Sequence, residues 1–244
     1  MVSKDEKIIA SFLIALVISR MVLVVLQPVS KLSSVIIGND NAIEKQKQAI
    51  NLMTGAIIYI TLLFVILLAT WLDVLLNFWL TNPETIKNVL YAFGFIVFGL
   101  IPYAFFQGLK GIIEIKFFKP YNLYSLIIAL IIHIVLYFIL KNFYSTLAAL
   151  SISLALAFIS LGINTAIWCR KDFFGNKYFR FEVLIFLGVI LFIANYFANK
   201  YFNNILGFII FTLISTFLYV SIIFIVKPSF IKEAINVLLK RKTL

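Results

Sequence analysis

Long apolar runs, each about the length of a membrane-crossing helix, are separated by short polar connections along this chain. Seven runs stand out: Ile8–Gln27 (continuing past Pro28 towards Ile37), Leu52–Leu72, Val89–Gly108, Leu123–Leu140, Leu147–Trp168, Val183–Ala198 and Ile205–Val226. A helix needs about 20 apolar residues to cross the hydrocarbon core, and the sixth run is the shortest. Runs such as Ser125–Leu140 are apolar on every face. A spanning β-barrel would instead show alternating segments of about ten residues, so the barrel is excluded. The pattern predicts an all-α integral membrane protein of about seven helices. A five-helix bundle is expected over residues 1–168, with spans near 8–37, 52–80, 86–111, 121–140 and 144–168. A basic loop (169–180), a terminal hairpin (181–227) and an amphipathic basic tail (228–244) follow.

Trp71, Trp79, Tyr121, Tyr124, Tyr144 and Trp168 fall at run ends, where an amphipathic ring suits the interface. Asn82-Pro83, Lys119-Pro120, Gly175-Asn176 and Asn203-Asn204 supply turn residues in the gaps. Composition agrees. Of 244 residues, 63% are hydrophobic and 13% charged, which excludes a water-soluble globule and a disordered chain. One Cys and one His exclude an internal disulfide and a Cys/His zinc cluster. The net charge of +11 reads as membrane topology, with no nucleic-acid partner expected.

The distribution of that charge sets an orientation. Lys4, Lys7, Lys87, Lys141 and Lys200 would lie on one side of the membrane. Lys31, Lys45, Lys47, Lys110, Lys116, Lys119, Arg170, Lys171, Lys177, Arg180, Lys227, Lys232, Lys240, Arg241 and Lys242 would lie on the other. By the positive-inside rule the richer side is cytoplasmic. The N-terminus is then outside and the C-terminus in the cytoplasm. The segment before the first run reads as an external loop following an earlier helix, with no cleavable signal.

Arg20 is the most informative polar residue, because it lies within the first run. A central Arg costs roughly 2.5–3.5 kcal/mol on insertion scales. Gln27 follows seven residues later on the same helical face, with Ser30, Lys31 and Ser34 continuing the stripe. Pro28 removes a backbone donor and predicts a kink beside that stripe. One reading has Arg20 facing a water-filled cavity and an anionic substrate group. The other has it bonding freed carbonyls or pairing with an acid.

His133, mid-run, is read either as a proton relay or as a neutral ring bonded to a neighbouring backbone or hydroxyl group. Lys110 and Glu114 are four apart and read as a gate or as an i,i+4 interfacial pair. Asp73 and Asn77 sit between Trp71 and Trp79, where an Asp binds a cation or is simply solvated. The third run carries Gly94, Gly99, Pro102, Gly108 and Gly111, so close helix approach and a bend at Pro102 are expected. Asn39–Asn51 and Ser229–Leu239 read as interfacial segments, the latter either drawn to anionic lipid or a simple solubilising tail.

No Walker loop, Gly-x-Ser-x-Gly, His-Glu-x-x-His or Cys-x-x-Cys occurs. Nor does any loop pair acids for a metal-dependent transferase. No enzymatic activity, metal or cofactor is therefore expected.

Several segments carry a family resemblance. The first helix exits through Leu26-Gln27-Pro28-Val29-Ser30-Lys31-Leu32, and a charged linker (Asp40, Glu44, Lys45, Lys47) leads to the second. Leu75–Leu80 and a short turn precede a Gly/Pro-containing helix ending in Gln107-Gly108. Lys141–Tyr144 makes a very short connection, Arg170–Arg180 a basic loop, and Lys227-Pro228-Ser229-Phe230-Ile231-Lys232-Glu233 a closing helix. In these features the chain resembles the C-terminal half of the multidrug/oligosaccharidyl-lipid/polysaccharide exporter superfamily, in particular its Wzx-type flippases. It departs at Phe143–Ala149, which lacks the family's glycines, and it would match about seven of that family's twelve to fourteen helices.

The resemblance implies a lobe of a flippase exporting lipid-linked oligosaccharide or polysaccharide units by alternating access. It implies a prokaryotic cell membrane, a polyprenyl-phosphate-linked saccharide as substrate and either a missing N-terminal lobe or a homodimer as partner. It also implies a cavity cation near the substrate phosphate, a role that falls on Arg20. The alternatives are a drug/cation antiporter lobe and a non-transporting assembly subunit or truncated remnant.

Overall fold

The computed structural model describes residues 4–24, 27–28, 43–116, 120–169 and 181–226. Its elements are helices throughout: α1 (Lys4–Val24), α2 (Ile43–Trp79), α3 (Pro83–Lys116), α4 (Tyr121–Leu140), α5 (Thr146–Trp168), α6 (Phe181–Tyr201) and α7 (Ile205–Val226). There is no strand among the described residues. Five stretches, in α2, α3, α4, α5 and α7, are long and apolar enough to cross a bilayer, and Ile185–Tyr201 of α6 is a shorter apolar stretch. The chain is an α-helical, multi-pass membrane protein.

The helices start where local chemistry satisfies their first N–H groups. Asn82 Oδ1 accepts from the backbone N–H of Glu84 (2.9 Å) and of Thr85 (3.3 Å), capping α3. Pro83 then occupies the first helical position, where its missing donor costs nothing, and Glu84 complements the positive helix end. Ser145 caps α5 by accepting from Ala148 N–H at 3.3 Å. Asn204 does the same for α7, accepting from Gly207 N–H at 2.7 Å.

Two helices outrun their apolar cores. α2 has 37 residues and α3 has 34, about 55 and 51 Å at 1.5 Å per residue. From Ile43 onward, the stretch read as interfacial forms the start of α2. Its sequence, IEKQKQAIN, contains good helix formers and no Gly or Pro, so nothing ends the helix before the apolar run. α3 likewise continues unbroken through Pro102.

α3 is the central element and packs against α5, α2 and α1. Glycines make the α3–α5 approach possible. A Cβ added at Gly99 would meet the Ala155 carbonyl and Phe158 Cβ at 2.8 Å, and one at Gly162 would meet Pro102 Cβ at 2.5 Å. These contacts advance together along both helices, so α3 and α5 run in parallel. Tyr103 and Phe158 stack across the same interface, with ring centroids 4.1 Å apart. α4 lies at the periphery on α5, burying Ser125 and Ala129 and leaving large apolar side chains such as Leu130, Ile131 and Phe138 exposed. That surface is what a lipid-facing helix presents.

A second apolar cluster joins α6 and α7 to α2 through Tyr59, Leu63, Trp71, Leu187, Leu191 and Tyr219. Residues 170–180 and 227–244, the expected basic loop and tail, lie outside the described residues.

Candidate functional site

The first candidate is the face of α1 that carries Arg20. α1 buries Ser11, Ala15, Ile18, Ser19 and Val22 against the bundle. Ser11 and Ser19 donate to carbonyls one turn back, those of Lys7 (2.9 Å) and Ala15 (2.8 Å). The opposite face exposes Leu13, Val17, Arg20, Met21 and Val24.

Depth follows from register. Lys7 Nζ lies 3.7 Å from Glu84 Oε2, so those residues are level. Arg20 lies about 20 Å further along α1 at 1.5 Å per residue. The same step along α3 leads to Val97, near the middle of the apolar run Val89–Gly108. Arg20 is thus a mid-depth cation on an otherwise apolar surface. Among the described residues no carboxylate lies within ion-pair distance of it. Gln27 and Pro28 are also exposed and helical, whereas the kink expected at Pro28 and the stripe through Ser30, Lys31 and Ser34 fall on residues outside the described set.

The other expected site residues lie apart from Arg20. His133 Nδ1 is 2.9 Å from Ser153 Oγ, and Ser153 Oγ in turn donates to the Leu150 carbonyl at 3.0 Å. The contact ties α4 to α5. Lys110 and Glu114 do not pair. Asn122 Nδ2 comes between their roles, donating to the Lys110 carbonyl (2.7 Å) and to Glu114 Oε1 (2.9 Å). Its amide also ties the end of α3 to the start of α4. Pro102 packs on Gly162, making it a contact point as well as a missing backbone donor.

No family model, curated protein or solved structure matches the chain.

A polar cluster not anticipated from the sequence holds α6 and α7 to α2. Trp71 Nε1 donates to Asn195 Oδ1 at 2.9 Å, and Asn195 Nδ2 donates to the Leu191 carbonyl and to Ser215 Oγ, each at 2.9 Å. All three side chains are buried. One helical turn on, Asn199 Nδ2 donates to the Thr70 carbonyl (2.7 Å) and to both Asp73 carboxylate oxygens (3.0 and 3.2 Å). Asp73 is therefore a hydrogen-bonded, half-buried group, and Asn77 donates to its backbone carbonyl at 2.8 Å. The available signal was Asn195, an amide interrupting an apolar run, since buried amides in membrane helices bond across interfaces.

A third polar group lies at the end where α1, α3 and α5 begin. A cavity of ≈ 540 Å³ there is lined by Lys7 and Ile8 of α1, by Glu84, Lys87, Asn88 and Tyr91 of α3, and by Ser145 and Leu147 at the start of α5. No two of these segments are adjacent in the sequence.

Proposed function

We propose that this chain is one lobe of a membrane transporter that flips lipid-linked oligosaccharide or polysaccharide units by alternating access, in the cell membrane of a prokaryote. The observation that carries the reading is Arg20, a mid-depth guanidinium on the exposed face of α1 with no ion-pair partner among the described residues. A lone Arg against hydrocarbon is costly, and no part of the described chain offsets that cost. A second surface does so in this reading, either an N-terminal lobe or another copy of the chain. Between the two surfaces lies a wet cleft in which Arg20 meets a phosphate of a polyprenyl-phosphate-linked saccharide through charge-assisted hydrogen bonds. Gln27, one to two turns further along, adds an amide to the same wall. The resemblance in the helix order and in the Leu26–Leu32 exit supports this substrate class, and the lysine distribution supports an N-terminus outside.

The test is transport of a fluorescent polyprenyl-diphosphate saccharide into or out of liposomes, normalised to folded protein, in the complete two-lobe assembly. Arg20→Ala is expected to abolish normalised transport while membrane insertion is kept or improved. Arg20→Lys is expected to keep part of it, since charge survives but the bidentate fork does not. Equal normalised activity for Arg20→Ala and the parent removes Arg20 from the site.

A further inference from the structure

The cavity at the start of α1, α3 and α5 is built differently from the Arg20 face. Three helices converge there, and all of them point their N-terminal ends the same way. α2 and α4 each return the chain across the bundle, so α1, α3 and α5 are parallel, and they also pack on one another. An α-helix carries about half a positive charge at its N-terminus. Antiparallel neighbours largely cancel such fields, whereas parallel ones add. The fixed charges in the lining are Lys7, Lys87 and Glu84, and Glu84 is engaged with Lys7 at 3.7 Å. Lys87 is left without a carboxylate in ion-pair range among the described residues.

The uncommitted donors stand side by side. Lys87, Asn88 and Tyr91 occupy one face of the first turns of α3, and their polar ends make no hydrogen bond to any described residue. The Tyr91 ring meets Phe95 edge-on, with centroids 5.2 Å apart at 90°, and supplies an aromatic wall. Ser145 offers its hydroxyl on the opposite side while its oxygen caps α5. A cation, an amide, a phenol and an aromatic face, in a positive field, suit an anion that also carries hydroxyls. The volume is within the range of small-ligand sites, about 300–1,000 Å³.

We infer that this cavity binds a phosphate-bearing polyhydroxyl headgroup, with Lys87 and Asn88 taking the phosphate and Tyr91 the hydroxylated part. The shared chemistry has two sources: the saccharide phosphate of a translocated lipid, or the glycerophosphate head of an ordinary anionic lipid. In the orientation of the transport reading the site is the outer mouth of the lobe. Binding at equilibrium does not require translocation, so a failure of transport and a failure of this site are separate results.

The experiment uses the full chain in nanodiscs, with glucose 1-phosphate titrated by calorimetry and maltose as the uncharged control. In phosphatidylcholine discs, glucose 1-phosphate should bind at least about tenfold tighter than maltose, the worth of one hydrogen bond to a charged group. Lys87→Ala and Asn88→Ala should each raise its Kd roughly tenfold, and Lys87→Arg should raise it less. Both positions are at the surface end of α3, and an unchanged helical circular dichroism signal would show that folding is intact. Repeating the titration in discs rich in phosphatidylglycerol separates the sources. Lost binding there identifies the lipid head as the occupant, whereas retained binding identifies the saccharide phosphate. Glucose 1-phosphate binding no tighter than maltose, or a Kd unmoved by both alanine variants, overturns the proposal.

Discussion

The bond between Trp71 and Asn195 is the most exacting test of the packing described above. Trp71→Phe deletes one N–H and keeps a ring between Phe208 and Phe211, whose centroids lie 6.0 and 6.1 Å from the indole. Asn195 Oδ1 would still accept from Ser215 Oγ at 3.2 Å, so this variant should cost only about 0.5–1.5 kcal/mol, the net worth of a hydrogen bond. Asn195→Ala is harsher. It orphans the buried indole N–H and frees Ser215, with a cost of about 1–3 kcal/mol for the unsatisfied donor. Once the amide is gone, Trp71→Phe should cost little more. The double-mutant cycle should therefore show a coupling of roughly 0.5–1.5 kcal/mol, below the maximum of about 1.7 kcal/mol found for hydrogen bonds between membrane helices. Equilibrium unfolding in mixed micelles of rising SDS fraction, followed by circular dichroism, avoids the fluorescence change that removing an indole brings. A coupling indistinguishable from zero, with both single variants folded, would refute the assignment of this contact as the clasp between α2 and α6.

Two further outcomes are expected. Single cysteines introduced at position 142 or 203, in a chain whose buried Cys169 is replaced by Ser, should react with an impermeant maleimide in intact cells, and one at position 175 should not; labelling at 175 alone would invert the orientation. Gly162→Val should destabilise the bundle by about 1–3 kcal/mol through overpacking against Pro102, measured by the same SDS titration, and an unchanged midpoint would contradict the close α3–α5 approach.

The helices were legible in the sequence because their ends carry local chemistry. α4 was expected over 121–140 and runs Tyr121–Leu140, with Pro120 at one end and the polar Lys141-Asn142 at the other. The added length of α2 was less legible, since hydropathy reports burial in lipid and not helicity, and Glu44–Asn51 is polar yet helix-forming. Pairing was the least legible. Lys110 and Glu114 have ideal spacing for a pair, but spacing cannot foresee that Asn122, from the next helix, takes the Glu114 carboxylate. Arg20 stood out from one position, because an Arg within an apolar run is costly wherever it faces hydrocarbon. Lys7, Glu84, Lys87 and Ser145 could not be grouped, because only the parallel packing of alternate helices brings their segments together.

The α2–α6 clasp also has a consequence in time. Trp71 and Asn195 are 124 residues apart, and chains are synthesised at about 5–20 residues per second. The indole is therefore made roughly 6–25 seconds before its acceptor. During that interval α3, α4 and α5 are made and the α3–α5 interface can close, while one flank of α2 stays open with its aromatic group unmatched. A newborn chain thus has a lateral gap of known chemistry, open for seconds, in which a neighbouring helix or a chaperone that shields membrane segments can sit until the last hairpin arrives.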